Sequence, residues 1–399
     1  MQTRETSAND PVVVSAVRTA VGRAFKGTLR ETRPDDLAAA CFRAALERVP
    51  GVDPGALDDI VLGCAMPEGP QGLNVARLAQ LRAGIPYQVP AMTVNRFCSS
   101  GLQTIAIAAD RIRTGQAHAV LAGGTESMSM VPMSGERFVP NPALVRDLPE
   151  AYISMGLTAE EVALRFEVSR EEQDAFALES HRRAVAALDA GVFADEIVPV
   201  EVETRLPGPR GEPQVTRRTF DVDEGPRRDT TAEALAALRP VFRMGGSVTA
   251  GNSSQTSDGA AAALVLSRSR AEQAGLEILG VLRGYEVAGV PPEVMGIGPV
   301  EALPRVLARC GVALGDVDLV EINEAFASQA AYCVRALDID PARVNVHGGA
   351  IALGDPLGAT GAKLTATLLH ELRRRDARYG VVSMCIGGGM GAAALFERA

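Results

Sequence analysis

Short apolar runs alternate with amphipathic stretches along the first third of the chain. The run PVVVSAV predicts a buried strand, and apolar positions recur at the helical period from Asp35 to Val49. The alternation continues through the strand DDIVLG, the helix LNVARLAQLRAG, the strand AMTVN, the helix Ser99–Thr114 and the strand AVLAGG. Strands and helices in this order predict a mainly parallel sheet with helices on both faces.

The last third of the chain repeats this rhythm. Its predicted strands are LGVLRGYEVAG, VDLVEIN, VNVHGG, YGVVSMCIGG and GAAALFE, and its predicted helices are Val300–Arg309, EAFASQAAYCVRAL and Ala359–Arg375. Both thirds contain a strand, a Gly/Ser-rich turn, a helix and a second strand, in TVNRFCSSG…AVLAGG and in RVNVHGGAI…GVVSMCIGG. A duplicated βαβ unit explains this internal similarity.

The pattern changes between Glu126 and Asn252. Prolines cluster at positions 132, 140, 142, 149, 207, 209 and 213, around two predicted helices, Leu157–Phe166 and Arg170–Ala190. We expect an inserted loop domain here rather than part of either sheet. Its segment Arg205–Arg228 holds six arginines against four acidic residues, which fits either a solvated loop or a clamp for a phosphorylated ligand.

Composition narrows the class of protein. The 399 residues are 47% hydrophobic and 22% charged, and the net charge of −9 argues against a nucleic-acid-binding face. No apolar run reaches the length of a membrane span, and the polar start MQTRETSAND predicts no signal peptide. The six scattered cysteines lack CxxC spacing, so we expect free thiols, no metal site and a cytoplasmic location.

Cys98 lies in VNRFCSSGLQTI, where a predicted strand gives way to a helix. The positive end of a helix dipole lowers the pKa of a thiol and favours the thiolate. A nucleophilic cysteine suits acyl transfer through a thioester intermediate. The alternative is an inert buried cysteine, which is how we interpret those in apolar contexts: Cys41, Cys64, Cys310 and Cys333.

Two further turns carry groups suited to acyl transfer. Cys385 precedes three glycines in SMCIGGGMG, whose backbone N–H groups suit an oxyanion hole, and a second cysteine can act as acid and base. Asn323 follows the strand VDLVEI, and ligands bind at the carboxyl ends of such strands. Each residue also has a purely structural interpretation, Cys385 as a strand-end residue and Asn323 as a helix N-cap.

The histidines offer few candidates for proton transfer. His181 and His370 are predicted on helix surfaces among arginines, and His118 is predicted in a loop. His347 shares the glycine-rich stretch NVHGGAIALGDPLGATG with a second possible proton carrier, Asp355.

Together these segments resemble the thiolase family over the whole chain. NRFCSSGLQ, AGGTESMS, MGLTAEEVA, TAGNSSQTSDGAAA, NEAFA, GGAIALGDPLGATGA and CIGGGMGAA occur in family order and spacing. The resemblance implies an α/β fold of two duplicated βαβαβαββ halves in an α-β-α-β-α layered architecture with an inserted loop domain. It divides the chain into residues 1–125 with 253–278, the loop domain 126–252, and 279–399.

The resemblance also implies reversible Claisen chemistry on coenzyme A thioesters. Cys98 would attack the 3-keto carbonyl and hold the acyl group, while Cys385 would move the proton on the α-carbon of acetyl-CoA. The backbone N–H groups of Cys98 and Gly387 would form one oxyanion hole, and Asn323, through a water, would help form the other. The positions that match family contacts with coenzyme A or the acyl chain are Ser254, Arg227, Met155 and Phe326. No permanently bound cofactor is implied, because coenzyme A and acyl-CoA are substrates, and the chain is expected to form a homodimer or homotetramer.

Two positions depart from the family pattern. Ser154 stands where short-chain biosynthetic members carry histidine, which favours the degradative 3-ketoacyl-CoA branch. Asp355 stands between Gly354 and Pro356 where the family has its catalytic histidine. An ionised Asp355 would raise the pKa of Cys98 by repulsion and would present an acceptor where an oxyanion hole needs a donor. A protonated Asp355 would keep one donor.

Three hypotheses follow from this departure. The leading one is a 3-ketoacyl-CoA thiolase, an acetyl-CoA C-acyltransferase, that turns over weakly because of Asp355. The second is a non-catalytic thiolase-like protein that binds acyl-CoA or serves as a scaffold. A decarboxylating ketoacyl synthase would need two active-site histidines, and the chain offers at most His347, eight residues before Asp355, which we expect to be a bystander.

Overall fold

Strands run through both ends of the chain in the computed structural model, which describes residues 7–207 and 212–399. Within those ranges the strands are β1 (Pro11–Thr19), β2 (Gly22–Arg23), β3 (Asp59–Gly63), β4 (Ala91–Val94), β5 (Ala119–Ser127), β6 (Ile197–Val198), β7 (Val200–Pro207), β8 (Pro213–Phe220), β9 (Ser257–Ser267), β10 (Gly280–Gly289), β11 (Leu319–Ile322), β12 (Tyr379–Ile386) and β13 (Met390–Glu397).

Helices separate most of these strands. The α-helices of the same ranges are α1 (Pro34–Glu47), α2 (Val75–Ala83), α3 (Ser100–Arg113), α4 (Pro142–Asp147), α5 (Met155–Arg165), α6 (Arg170–Asp189), α7 (Ala232–Ala236), α8 (Arg268–Gln273), α9 (Gly298–Cys310), α10 (Ala327–Ala336), α11 (Ala350–Leu353) and α12 (Leu357–Arg374).

One hydrogen-bonded sheet runs through both halves of the protein, in the order β11-β12-β13-β10-β1-β9-β5-β3-β4. β1 and β10 join the halves through two residue pairs, Val12 with Val281 and Val13 with Gly280. Outward from this junction, the order β1-β9-β5-β3 has its counterpart in β10-β13-β12-β11. In both series the second and third strands are antiparallel and the third and fourth are parallel. The predicted duplication is therefore present.

Helices form three layers around the two halves of the sheet. α1 and α2 cover the first half, α9 and α10 cover the second, and α3 packs against α12 between them. Phe42 of α1 belongs to the outer core of the first half, and Leu303 of α9 belongs to that of the second. Leu102 of α3 and Leu368 of α12 share the central core. These layers give the predicted α-β-α-β-α architecture.

The predicted strand at VNVHGG is wrong. Val344 makes a single parallel bridge to Val320, and the chain then turns. Asn345 has a φ of +44°, which is incompatible with an extended strand. Its side chain hydrogen-bonds the backbone N–H and the backbone carbonyl of Ile322, each at 2.8 Å, and so replaces the ladder that a strand would have formed.

The chain leaves the sheet after β5 and returns to it with β9. Helices α4 to α7 and the hairpin β7–β8 lie between these two strands in sequence. The division into 1–125 with 253–278, 126–252 and 279–399 stays a prediction. Within the described ranges, no helix has the length and apolar character needed to cross a membrane.

The first turn of α12 approaches β5 closely at Gly124. A Cβ atom on this residue would lie 2.0 Å from the carbonyl oxygen of Gly358 and 2.7 Å from Cα of Ala359. Both neighbours are backbone atoms, which cannot rotate away as a side chain could. The absence of a side chain at Gly124 therefore sets how near the helix can come to the sheet.

We expect Gly124→Ala to destabilise the protein by about 1–3 kcal/mol, because the added methyl group overpacks a buried contact between backbones. Thermal unfolding followed by circular dichroism measures the effect. Gly289→Ala is the matched control, since a Cβ there meets nothing within 4 Å. Equal unfolding midpoints for the two variants would contradict the close packing of α12 on β5.

Candidate active site

Cys98 lies on a sharp turn between β4 and α3. Phe97, the preceding residue, has a φ of +43°, a left-handed conformation that bulky residues seldom adopt. Its N–H donates to Asn95 Oδ1 at 2.8 Å, and its carbonyl accepts the Ser100 hydroxyl at 2.6 Å. These bonds hold the strained turn, which places Cys98 at the beginning of α3, buried beneath the surface.

Cys385 lies near the end of β12 and pairs with Gly391 of β13. The glycine turn between these strands begins at Gly387, two residues later. The backbone N–H groups of Gly387 and of Cys98 both lower the pKa of the Cys98 thiol. The two donors predicted for an oxyanion hole therefore act on the same thiol.

Asp355 lies between α11 and α12, and its side chain is buried. Its Oδ1 accepts the Thr360 hydroxyl at 2.5 Å, and its Oδ2 accepts Nδ2 of Asn323 at 3.1 Å. Both oxygens act as acceptors, so this position offers the site no hydrogen-bond donor in the arrangement observed. Thr360 was not predicted as a site residue. Its place on the first turn of α12, five residues after Asp355, could have indicated this contact.

Asn323 is fully buried, and its backbone N–H donates to the carbonyl of Ser383 at 2.9 Å. α10 begins at Ala327 with Phe326 as its N-cap, so the interpretation of Asn323 as a helix cap is wrong. Its Nδ2 donates to Asp355, while its Oδ1 has no hydrogen-bond partner among the described residues. Asp355 therefore takes one of the two N–H donors of the Asn323 amide.

Burial dominates the electrostatics of both thiols. It raises the pKa of Cys98, and the negative charge of Asp355 raises it further, against the two backbone N–H groups. Burial also raises the pKa of Cys385, followed by repulsion from Cys98 and Asp355. The two thiols and the carboxylate are thus electrostatically coupled. The lowered thiol pKa expected from a helix start alone is not found, because desolvation and Asp355 outweigh the dipole.

Glu126 is a buried carboxylate that ties three parts of the site together. It accepts the N–H of Ala65 at 2.7 Å, the N–H of Gly358 at 2.8 Å and Nε2 of Gln71 at 2.7 Å. These bonds join the end of β5, the segment after β3 and the first turn of α12. Its charge also raises the pKa of Cys98. Glu126 was not predicted as a site residue, although an acidic residue at the end of an apolar strand could have indicated a buried polar contact.

Two apolar clusters each contain one of the cysteines, and they share Met155 as a neighbour. The first surrounds Cys385 and the second surrounds Cys98, and their other members are Ala159, Val248, Met295, Ala325 and Phe326 in the first and Ala24, Ala65, Met128 and Leu357 in the second. Met155 packs against both clusters. The ring of Phe326 meets that of Phe242 edge to face, with 5.9 Å between centroids. Apolar walls of this kind suit an acyl chain.

The other two residues predicted to contact coenzyme A lie outside these clusters. Ser254 is half-buried, and its N–H donates to the carbonyl of Ala325 at 2.9 Å, beside Phe326. Arg227 is exposed and lines a pocket of about 160 Å³ together with His181 and Gln255. Of the four predicted contacts, Met155 and Phe326 thus lie at the apolar clusters, Ser254 lies beside Phe326, and Arg227 lines a separate polar pocket.

Two of the four arginines whose side chains are described in the arginine-rich segment form ion pairs. Arg217 pairs with Glu203 at 3.2 Å, and Arg228 pairs with Asp189 at 2.6 Å. The side chains at positions 205 and 210 lie outside the described residues. These ion pairs favour the interpretation as a solvated loop for Arg217 and Arg228.

The predicted surface positions of His181 and His370 are wrong, since both side chains are buried. The arginines beside them in sequence point to other faces of their helices. His181 Nδ1 accepts the N–H of Arg227 at 3.2 Å, and burial lowers the pKa of His181 to about 4. His347 contacts Glu371 at 2.7 Å, roughly 20 Å along α12 from its first turn.

Cys41, Cys64 and Cys333 are buried, Cys310 is half-buried, and all six cysteines of the chain are free thiols. In the part of the chain that the structure describes, no group of three or more His, Cys, Asp or Glu side chains is arranged to hold a metal ion.

Two family models match most of the chain. The model for the N-terminal domain of thiolases matches residues 11–269, and the model for the C-terminal domain matches residues 276–398.

Individual relatives match over nearly the full length. The 3-ketoacyl-CoA thiolase of Bacillus subtilis (strain 168) is 56% identical over 97% of this chain and 99% of its own. The peroxisomal 3-ketoacyl-CoA thiolase B of Mus musculus is 51% identical over 98% of this chain and 92% of its own. Human mitochondrial 3-ketoacyl-CoA thiolase is similar in structure, with a TM-score of 0.88 and 40% identity over 98% of this chain and 100% of that one. The dimeric peroxisomal thiolase of Saccharomyces cerevisiae has a TM-score of 0.89 and 41% identity over 99% of both chains.

We expect alkylation of Cys98 by iodoacetamide to need a pH well above neutrality, because burial and Asp355 both raise the pKa of its thiol. Asp355→Asn keeps the shape of the side chain and removes its charge, so labelling at a given pH should become faster. Mass spectrometry of the Cys98 peptide measures the rate. Glu47→Gln, at an exposed carboxylate on α1, is the control. Equal rates in the parent chain and Asp355→Asn would contradict the electrostatic role of Asp355.

Proposed function

The chain belongs to the thiolase family, and from that premise we propose that it cleaves 3-ketoacyl-CoA with coenzyme A, as an acyltransferase of fatty acid β-oxidation. The observation that carries this proposal is the burial of Cys98 and Cys385 in two apolar clusters that share Met155 as a neighbour, with Cys98 raising the pKa of Cys385 and the N–H of Gly387 lowering that of Cys98. Ser154 supports the degradative branch of the family rather than the short-chain biosynthetic one.

The proposed reaction begins at the Cys98 sulfur. As thiolate, it attacks the 3-keto carbon, and the negative charge that develops on the keto oxygen is stabilised by the N–H groups of Cys98 and Gly387. The bond between carbons 2 and 3 then breaks, leaving the shortened acyl group on Cys98. The electron pair of that bond goes to carbon 2 of the departing acetyl-CoA, which takes a proton from Cys385. Cys385, left as thiolate, takes the proton of a second coenzyme A thiol. The sulfur of that coenzyme A then attacks the acyl group, and the bond between the acyl carbon and Cys98 breaks to return Cys98 as thiolate.

We propose that Asp355 slows this cycle in two ways. It raises the pKa of Cys98 and so reduces the fraction of thiolate. It also occupies one N–H of the Asn323 amide and supplies no donor of its own, so the hole for the thioester oxygen of acetyl-CoA lacks one donor. The loss of one oxyanion donor reduces the rate by roughly 10²–10³-fold.

Coenzyme A and acyl-CoA are the substrates, and no permanently bound cofactor is used. We propose that the acyl chain lies between Met155 and Phe326, where the apolar clusters meet. Ser254 would contact the part of coenzyme A next to this wall. Arg227, which is exposed and lines the polar pocket, would face the phosphates of coenzyme A.

A second candidate function is a thiolase-like protein that binds acyl-CoA without turning it over. Asp355 favours this alternative, because an acceptor in the donor position impairs catalysis while leaving the apolar wall intact. The two functions share one ligand and differ in turnover.

We also propose a homodimer or homotetramer in a cytoplasmic location. A dimer is supported by the yeast relative, whose structure is described as dimeric. The free thiols of all six cysteines support a reducing compartment. The mouse and rat relatives are named as peroxisomal, so a peroxisomal location is the alternative to the cytoplasmic one.

We expect Asp355→His to raise kcat for cleavage of acetoacetyl-CoA and longer 3-ketoacyl-CoA by roughly 10²–10³-fold, since histidine restores a donor and a base beside Cys98. Thioester formation with free coenzyme A, followed by absorbance, measures the rate. Asp355→Asn, which restores no base, separates the removal of charge from the gain of an imidazole. Cys98→Ala in the histidine variant should abolish the gained activity.

The outcomes distinguish the two functions. A large gain in Asp355→His supports a slowed thiolase site. Acyl-CoA binding without cleavage in either chain supports the non-catalytic alternative, and full activity of the chain with Asp355 would contradict the role assigned to that residue.

We expect sedimentation equilibrium to give a mass of two or four times the 41.8 kDa chain. A concentration-independent monomer would contradict the proposed assembly.

A further inference from the structure

A polar cleft of about 330 Å³ lies at the opposite end of α12 from the cysteines. The cleft is lined by residues from β1, the end of α1, the segments before β6 and β10, and the last turns of α12. The polar residues among them are Ser15, Arg48, Asp195, Glu277, His370 and Arg373. His370 is thirteen residues after Leu357, so the cleft lies roughly 20 Å along the helix from the candidate active site. The proposed reaction uses none of these residues.

Two polar atoms of this cleft are buried without a partner. Ser15 Oγ and His370 Nδ1 have no hydrogen bond among the described residues, and their side chains are 3% and 7% exposed. Buried polar groups are almost always paired, so both atoms have hydrogen-bonding capacity left for an occupant of the cleft.

The tautomer of His370 follows from its other nitrogen. Nε2 lies 3.0 Å from the carbonyl oxygen of Ala16, which can only accept, so Nε2 carries the hydrogen. Nδ1 is then a bare acceptor. Burial lowers the pKa of His370, which keeps the ring neutral and the acceptor available. The cleft therefore requires a donor from its occupant at this point.

The charges of the cleft are balanced in number. Arg48 donates to the backbone carbonyls of Asp195 and Ile197. Arg373 lies 3.3 Å from the Asp195 carboxylate and 3.4 Å from that of Glu277, both long for ion pairs. The cleft thus combines two guanidinium groups with two carboxylates and a neutral imidazole.

We propose that this cleft binds a small zwitterion of the α-amino-acid class. Its carboxylate accepts from Arg48 and the Ser15 hydroxyl, and its ammonium group donates to His370 Nδ1 and to Asp195. A simple anion would set its charge against His370 Nδ1 and two carboxylates, and a simple cation would face two guanidinium groups. A zwitterion satisfies both sets.

Isothermal titration calorimetry of the full chain with L-alanine, L-serine and L-glutamate tests the proposal, and it requires no turnover. We expect saturable one-to-one binding of at least one of them. Glycine betaine, which has the same charges but no N–H, should bind at least roughly tenfold more weakly, because it cannot donate to His370. Acetate and ethylammonium should show no saturable binding.

Variants of the cleft give the second arm of the test. Ser15→Ala and His370→Gln should each weaken binding roughly tenfold, and glutamine retains a donor toward Ala16 while removing the Nδ1 acceptor. Arg48→Met at an exposed position tests the site even if a buried variant fails to fold. Arg43→Met on the same helix is the matched control, because Arg43 contacts the carbonyl of Arg82 outside the cleft.

The proposal is overturned if none of the three amino acids binds, or if binding is unchanged in Arg48→Met and in the folded buried variants. It is also overturned if acetate or ethylammonium binds as tightly as the amino acids. Because the experiment does not depend on Cys98 or Asp355, its failure would leave the proposed function unaffected, and the reverse also holds.

Discussion

The close packing of α12 between the two halves of the sheet is the constraint on which the site depends. A Cβ on Gly124 would lie 2.0 Å from the carbonyl of Gly358, and one on Gly361 would lie 2.4 Å from the backbone nitrogen of Leu102. Backbones that approach this closely leave little freedom for the helix to shift. The start of α12 is therefore fixed against both β5 and α3, and with it the position of Asp355 relative to Cys98.

This arrangement brings acidic groups toward the thiols from two sides. Glu126 holds the first turn of α12 through the N–H of Gly358, and Asp355 precedes that turn. Both charges raise the pKa of Cys98 in a buried environment where repulsion is weakly screened. The opposing groups are neutral backbone N–H dipoles. Cys98, two residues before the start of α3, is thus disfavoured as thiolate by its neighbours, although a helix start alone would favour the thiolate.

Sequence patterns could predict the elements but not the contacts between distant side chains. The alternation of apolar runs and amphipathic stretches predicted the strands of both halves and the strand-to-helix position of Cys98. It failed at Asn345, where one side chain takes over the hydrogen bonds of a strand through a contact with Ile322. It also failed for His181, whose burial depends on how α6 packs rather than on its neighbours in sequence. The Asp355–Asn323 hydrogen bond joins residues 32 positions apart, so no local pattern contained it.

The aspartate at 355 separates the requirements of folding from those of catalysis. A buried carboxylate is costly unless donors surround it, and here Thr360 and Asn323 supply one donor to each oxygen. The fold therefore accommodates the acidic side chain without an unpaired oxygen. One of these bonds uses an N–H of Asn323, whose Oδ1 has no partner among the described residues. The chain thus keeps the architecture of its family with a hydrogen-bond acceptor, rather than a donor, at position 355.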